Sequence, residues 1–330
     1  MPVQTFKTRT LGDSMGRFLG GVIVVLALVA GALWYFSDPD IPRSVLEAKY
    51  AAPPSQFIML PDGARAHVRD QGLKTGPALV LVHGSNASLF TWEPWVARLG
   101  TSFRIVTMDL PGHGLTGAVP NNDYSQEGMV KFVKEVTDNL GIQKFAIAGN
   151  SMGGGVAARF AEEYPASVTG LVLVDAGGEP SQMGDHVPLV FKIARTPVLN
   201  KLLLYLTPRS LVQEGLNDAI VHKDIITDKM IDQYWEFARM TGSRAANGLR
   251  FQLPWTNDVK DHIGDIKAPT LILWGAQDHL IPVAAAYAFH KDVPGSQLIV
   301  YPATGHIPQE EVADQSAADV RAFLSGNTPK

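Results

Sequence analysis

Residues 145–153 read Phe-Ala-Ile-Ala-Gly-Asn-Ser-Met-Gly, an apolar strand pattern followed by a serine between two glycines. A helical pattern follows immediately, so the serine lies at a turn from strand to helix. Such a turn exposes a serine hydroxyl, and the glycines permit the crowded backbone around it. The helix N-terminus also favours negative charge that forms beside it. The stretch therefore predicts Ser151 as a nucleophile.

A serine nucleophile needs a base, and the base needs a carboxylate that holds its tautomer. His306 follows Gly305 in a loop between the last strand pattern and a helix, where it can serve as the base. Asp278 follows the strand pattern at 270–274, and Asp175 directly follows the pattern at 171–174. The chain order is serine, aspartate, histidine with either aspartate; Asp278 is favoured as the acid, and Asp175 is the alternative.

A tetrahedral intermediate also needs two N–H donors for its oxyanion. The residue after the nucleophile, Met152, supplies the first backbone N–H. The second is expected from the loop His83-Gly84-Ser85-Asn86 behind the strand pattern at 78–82. Ser85 is the favoured donor and Asn86 the alternative, while His83 is interpreted as structural.

Apolar runs of strand length recur through the chain and alternate with helical patterns, which is typical of a parallel sheet covered by helices. The stretch 178–266 contains helical patterns but no strand pattern. We therefore predict an α/β fold with an eight-stranded, mostly parallel sheet, helices on both faces and an inserted helical cap. The predicted catalytic domain comprises 56–177 and 267–330, and the cap comprises 178–266. The strands are expected at 57–60, 64–68, 78–82, 104–108, 145–148, 171–174, 270–274 and 297–301.

Composition limits the partners of the chain. A net charge of -4 over 330 residues, without a dense basic cluster, argues against nucleic acid. The chain has no cysteine, which excludes disulfides and thiolate chemistry. Its nine histidines include no His-x-x-x-His pair, so no metal site is predicted.

The N-terminus has the pattern of a membrane anchor. Residues 18–36 carry no charge, and as a helix they would extend about 28 Å, close to the thickness of a bilayer core. Basic residues precede this stretch and acidic residues follow it, which predicts a cytoplasmic N-terminus at 1–17, a lipid contact through 18–36 and a catalytic domain outside. A cleaved signal peptide, giving a secreted or periplasmic protein, is the alternative. Residues 37–55 are interpreted as a linker.

Five motifs follow one another along the chain: His83-Gly84, Asp109 to Gly114, Gly149 to Gly153, Trp274 to Asp278 with Pro282, and Gly305-His306. Through these motifs the chain resembles the α/β-hydrolase superfamily across about 56–324. The resemblance implies catalysis without a cofactor and a cap inserted after the sixth strand. Relatives with an aspartate at the nucleophile position act as epoxide hydrolases or dehalogenases, and Ser151 disfavours both. The run 149–154 resembles carbon-carbon bond hydrolases of aromatic ring degradation, but the glycine-rich oxyanion loop of that group is here Ser85-Asn86-Ala87-Ser88.

The activity favoured by this resemblance is that of a membrane-anchored serine hydrolase acting on small esters of apolar acyl groups. A carbon-carbon bond hydrolase or a lactonase is the alternative enzyme. A membrane-tethered binding protein on a hydrolase fold is the alternative without catalysis, because a fold does not determine function.

Overall fold

The centre of the molecule is an eight-stranded sheet. The computed structural model describes residues 18–24, 27–28, 31, 37–178, 192–193, 196, 201, 205–253 and 263–326. The strand order is β1-β2-β4-β3-β5-β6-β7-β8, and β2 is antiparallel to both of its neighbours while the other pairs are parallel. The strands are β1 Ser55–Met59, β2 Arg65–Gly72, β3 Ala78–Val82, β4 Arg104–Met108, β5 Phe145–Asn150, β6 Val168–Val174, β7 Thr270–Gly275 and β8 Gln297–Tyr301.

Helices cover the sheet on both faces. The described helices are α1 Arg43–Tyr50, α2 Glu93–Leu99, α3 Gln126–Asn139, α4 Met152–Glu163, α5 Arg209–Ala219, α6 Asp228–Ala238, α7 Ser243–Gln252, α8 Ala284–Asp292, α9 Pro308–Glu311 and α10 Ala313–Leu324. Helices α3, α4 and α8 contribute to the hydrophobic core on one face of the sheet, and α2 and α10 contribute to the core on the other. Central strands such as β3 are almost wholly buried because both of their faces are covered. The predicted fold class is confirmed.

The prediction of a membrane anchor over 18–36 is wrong. Residues 18–24, 27–28 and 31 are helical and exposed, but in the part of the chain that the structure describes no helix has the length and apolar character needed to cross a bilayer. A spanning helix needs about 20 consecutive apolar residues. The single-pass topology, the placement of the catalytic domain outside a membrane and the lipid partner at this helix are corrected with it. The predicted cytoplasmic segment 1–17 lies outside the described residues.

Part of the stretch interpreted as a linker is an ordered helix. Within residues 37–55, α1 spans eight residues and buries Leu46 against Leu115 and Met240. The Arg43 guanidinium donates hydrogen bonds to the carbonyl oxygens of Leu115 and Thr116. These contacts attach α1 to the loop that follows β4.

The stretch predicted as a cap lies between β6 and β7. Residues 205–253, which we call the cap segment, contain α5, α6 and α7. A small hydrophobic cluster joins the cap segment to the catalytic domain, with Leu216, Ile220 and Ile231 on one side and Ile307 on the other. Residues 179–191 and 254–262, also part of the predicted cap, lie outside the described residues.

Candidate active site

Ser151 lies at the turn between β5 and α4. Its φ of 55° and ψ of -123° place it in a conformation that L-residues rarely adopt. The backbone around it is crowded, because a Cβ at Gly149 would lie 2.0 Å from the Gly153 carbonyl oxygen, and one at Gly153 would lie 2.3 Å from the Val82 carbonyl oxygen. Glycine at both positions therefore lets the chain turn sharply enough to present the Ser151 side chain at the end of the sheet.

His306 and Asp278 are joined by a hydrogen bond. The distance from His306 Nδ1 to Asp278 Oδ2 is 2.7 Å, and both residues are buried. The other carboxylate oxygen, Oδ1, accepts from the backbone N–H groups of Leu280 at 2.7 Å and Ile281 at 3.0 Å. Asp278 is thus held on one side by its own loop and presents the other side to His306.

The backbone of His306 is also held on both sides. Its N–H donates to the carbonyl oxygen of Ala219, at the end of α5, at 2.7 Å. Its carbonyl oxygen accepts from the side-chain amide of Asn150 at 2.9 Å, and Asn150 directly precedes Ser151. The loop with His306 is therefore connected to the turn with Ser151 by one hydrogen bond.

Asp175, the alternative acid, has a different partner. It is fully buried, and its Oδ1 accepts from the backbone N–H of Gly275 at 2.9 Å, whereas His306 Nδ1 contacts Asp278. Burial raises the pKa of Asp175 well above its usual range, and the nearby Asp278 charge raises it further. The geometry thus pairs His306 with Asp278 and leaves Asp175 behind that pair as a carboxyl group that favours its protonated form.

A possible metal site consists of Asp175, Asp278 and His306. Each residue offers one ligand atom, and these three atoms lie within 4.8 Å of one another, close enough to bind one metal ion. In this structure Asp278 Oδ2 and His306 Nδ1 bond each other, and Asp278 Oδ1 accepts two backbone N–H groups. Hydrogen bonding thus already uses the Asp278 oxygens that a metal would need.

Both predicted oxyanion donors lie beside Ser151. Met152 is the first residue of α4, and Ser85 lines the same cavity as Ser151. Within the described residues, the backbone N–H groups of Ser85 and Met152 donate to no other backbone group. The alternative donor Asn86 also lines the cavity and has a φ of 60°. The assignment of the oxyanion donors stays a prediction.

The loop with Ser85 is shaped by buried polar groups. His83 Nε2 accepts from the backbone N–H of Leu110 at 3.0 Å, and burial lowers the pKa of His83. Asp109 accepts from the backbone N–H groups of Leu89 and Leu115, each at 2.7 Å, and contacts His67 Nδ1 at 2.6 Å. Burial acts to raise the pKa of Asp109, but the charge and hydrogen bond of His67 lower it below its usual range. These contacts fit the structural role expected for His83.

A cavity of about 210 Å³ opens at Ser151 and His306. The cap segment forms much of its wall, and most of the side chains that it contributes are apolar. The strand-end loops supply the polar floor. The lining includes Gly84, Ser85, Asn86, Ala87, Asn150, Ser151, Thr207, Leu211, Val212, Leu216, Ala219, Tyr234, Ala238, Arg244, Asn247, Phe251, Leu280, His306 and Ile307.

The sequence analysis did not identify three charged residues near the site: Arg244, which lines the cavity, Arg250 and Glu311. Arg250 of α7 donates a hydrogen bond to the Ser85 hydroxyl oxygen, and its Nη1 lies 3.6 Å from Met152 Sδ. Glu311 of α9 accepts from the backbone N–H of Gly305 at 2.8 Å. Glu311 lies five residues after His306, but its other partners, Val221 and His222, are distant in the sequence. Arg250 likewise bonds the distant Ser85, so no local motif indicates either contact.

The comparisons with known proteins agree with this architecture. The family model described as "alpha/beta hydrolase fold" matches residues 77–313, well over half of the chain. The chain therefore belongs to the α/β-hydrolase family.

Individual relatives within that family differ in activity. The chain is 30% identical over 264 residues to a 2-hydroxy-6-oxononadienedioate/2-hydroxy-6-oxononatrienedioate hydrolase of Comamonas testosteroni, covering 76% of this chain and 87% of the relative. It is 29% identical over 300 residues to an uncharacterized protein of Mycobacterium bovis, covering 87% of this chain and 86% of the relative. Among solved structures, a bacterial membrane phospholipase A matches with a TM-score of 0.71 at 24% identity, covering 94% of this chain and 98% of that one. This last likeness shows the fold alone.

Proposed function

We propose that this α/β hydrolase is a serine hydrolase that cleaves carboxylic esters of apolar acyl groups. The observation that carries the proposal is the cavity, in which apolar side chains of the cap segment face Ser151 and His306. An apolar wall favours an acyl chain, and a few polar groups at one end orient the reacting carbonyl.

The His306–Asp278 pair and the position of Ser151 and His306 in one cavity support a two-step mechanism through an acyl-enzyme. The His306 Nδ1–H donates to Asp278, which leaves Nε2 free to take the Ser151 proton. The Ser151 oxygen then forms a bond to the ester carbonyl carbon, and the oxyanion accepts from the N–H groups of Met152 and Ser85. The alkoxide leaves with the proton from His306. Water, activated by the same base, releases the acid and restores the Ser151 hydroxyl.

A carbon-carbon bond hydrolase is the second candidate, supported by the 30% identity to the Comamonas testosteroni enzyme. That relative is named for a dioate, which bears carboxylates. Among the described residues that line the cavity here is an arginine, Arg244, whose Nη1 lies 3.6 Å from Asp40 Oδ1. The acidic neighbour of Arg244 and the apolar side chains of the wall favour the ester over a substrate with two carboxylates.

The test is hydrolysis of p-nitrophenyl esters of increasing acyl length by the full chain and by Ser151→Ala. We expect turnover with an optimum in acyl length, and loss of that turnover in the variant. A vinylogous 1,5-diketone with a terminal carboxylate is assayed beside the esters. Faster cleavage of the diketone would replace the ester proposal with the carbon-carbon one. Equal turnover by wild type and Ser151→Ala would contradict both, because both require Ser151 as the nucleophile. Absence of turnover of either substrate class by wild type would favour a binding protein on this fold.

A further inference from the structure

Glu311 connects the cap segment to the loop that carries His306. It is the last residue of α9, and its carboxylate accepts from three backbone N–H groups. Oε1 accepts from Gly305 at 2.8 Å, directly before His306. Oε2 accepts from Val221 at 2.8 Å and His222 at 3.0 Å, both just after α5. One carboxylate thus joins two segments that are more than 80 residues apart in the sequence.

A second contact runs beside the first. The carbonyl oxygen of Ala219, one of the terminal carbonyls of α5 that lack a partner within the helix, accepts from the N–H of His306 at 2.7 Å. Gly305 makes this approach possible, because a Cβ there would lie 2.3 Å from the Ala219 carbonyl oxygen and 2.9 Å from Glu311 Oε1. The end of α5 therefore packs directly on the backbone of the Gly305-His306 loop.

We propose that Glu311 is a positioning residue, which places His306 against Ser151 by tying its loop to the end of α5 in the cap segment. This inference rests on the proposed function, since it assigns His306 as the base. Hydrogen bonds to an ionised acceptor are stronger than neutral ones, so a carboxylate is suited to hold three N–H groups at once. Displacing a catalytic group by about 1 Å can cost about 10²-fold in rate. Packing of the cap segment on the Gly305-His306 loop is then required for catalysis, in addition to forming a wall of the substrate cavity.

The first test compares Glu311→Gln with Glu214→Gln in the full chain, using p-nitrophenyl acetate and p-nitrophenyl octanoate. Glutamine has nearly the same volume as the glutamate it replaces, but its NH2 group must face at least one N–H donor. We expect kcat to fall about 10- to 100-fold for both esters, with KM changed by less than about threefold. Glu214 is an exposed residue of α5, so its variant should match wild type.

The ratio of the two kcat losses separates positioning from a loosened cavity wall. A role in positioning His306 lowers kcat equally for the short and the long acyl chain. A role confined to the wall raises KM for octanoate and leaves acetate unchanged, and that result would overturn the inference. A kcat for Glu311→Gln within twofold of wild type would also overturn it.

A second pair of variants tests the contact from the cap side, and it remains informative if Glu311→Gln does not fold. His222 has a φ of -76°, close to the value that proline requires. His222→Pro removes the N–H that donates to Glu311, whereas His222→Ala keeps it and removes only the side chain. We expect a kcat loss of about 2- to 10-fold in His222→Pro and none in His222→Ala. Equal kcat in the two variants would contradict the coupling.

The outcomes also distinguish this inference from the proposed function. Ester turnover that depends on Ser151 but not on Glu311 or the His222 N–H leaves the function intact and overturns the coupling. Ester turnover that does not depend on Ser151 removes the proposed function, and the coupling with it.

Discussion

Asp278→Asn should abolish most of the activity while the fold remains intact. The structure determines how the new amide lies, because Asp278 Oδ1 accepts from the N–H groups of Leu280 and Ile281. The amide oxygen must stay at that position, since an NH2 group there would face two donors. The NH2 group then points at His306 Nδ1, which has to become an acceptor.

The consequence is a tautomer that cannot act as a base. With Nδ1 unprotonated, the His306 proton moves to Nε2, on the side that has to accept the Ser151 proton. Loss of the correct tautomer costs a triad about 10³- to 10⁴-fold in kcat. This corresponds to about 4 to 5.5 kcal/mol of transition-state stabilisation.

The assay is kcat for the best p-nitrophenyl ester, with thermal unfolding as the check on folding. Asp175→Asn is the matched control, because its amide oxygen can still accept from Gly275 N–H while no contact to His306 Nδ1 is removed. We expect this control to lose less than about tenfold. A loss within tenfold for Asp278→Asn, or a larger loss for Asp175→Asn, would refute the assignment and move the role to Asp175.

Two further predictions concern the cavity and the pH dependence of stability. Leu216→Ala enlarges the cavity and should shift the optimum of ester hydrolysis to longer acyl chains. It also removes packing from the cluster between the cap segment and the catalytic domain, which should lower the free energy of unfolding by about 2–3 kcal/mol. The exposed Leu73→Ala serves as its control, and an unchanged optimum would exclude Leu216 from the acyl site. Burial raises the pKa of Glu310 to about 7, against a hydrogen bond from Thr91 that lowers it. In the unfolded chain Glu310 has its ordinary pKa of 4.5. The contribution of Glu310 to the free energy of unfolding is therefore fully present below that pH and is lost as pH rises through about 7. Glu310→Gln stays neutral at every pH. The difference in free energy of unfolding between this variant and wild type, measured by urea unfolding, should therefore be about 1–3 kcal/mol more in favour of the variant at pH 8.5 than at pH 5. A difference that does not change with pH would contradict this.

The sheet was largely predictable because its central strands are buried on both faces and have continuous apolar sequences. Strands β3, β4 and β8 have the bounds expected from the sequence. Strand β2 extends to Gly72, four residues beyond its apolar run, because Asp70 and Gln71 continue the pairing with β4. The Asp70 carboxylate is held there by Arg104 at 2.9 Å, a contact between distant residues that no local pattern indicates.

The N-terminal region shows the limit of hydropathy. The uncharged stretch 18–36 would be long enough to cross a bilayer if it were one continuous helix. Composition alone does not establish such a helix, and no described helix has the required length and apolar character. The neighbouring stretch, interpreted as a linker, contains a helix that hydropathy did not indicate. Helix α1 has one fully buried residue, Leu46, and too weak a pattern to be predicted, yet Arg43 ties it to the loop after β4.

The residues of the candidate site also fall into two groups, those that a local motif indicates and those that only a long-range contact brings to the site. Ser151, Asp278 and His306 lie where strands end in a parallel sheet, so short motifs indicate them. Arg250 bonds Ser85 and Glu311 bonds Val221 across long sequence separations, so only the folded chain brings these residues to the site.

In the proposed reaction, the contacts of His306 also connect substrate choice with the placement of the proposed base. Its N–H bonds to Ala219 in the cap segment and its carbonyl oxygen bonds to Asn150 beside Ser151, so one loop is fixed between the wall and the nucleophile. Leu216 lines the cavity one turn before Ala219 on the same helix. A bulky acyl chain that displaced α5 would therefore pull on the His306 loop. Poor fit in the cavity should then lower kcat as well as raise KM, since the same helix bounds the acyl chain and holds the base.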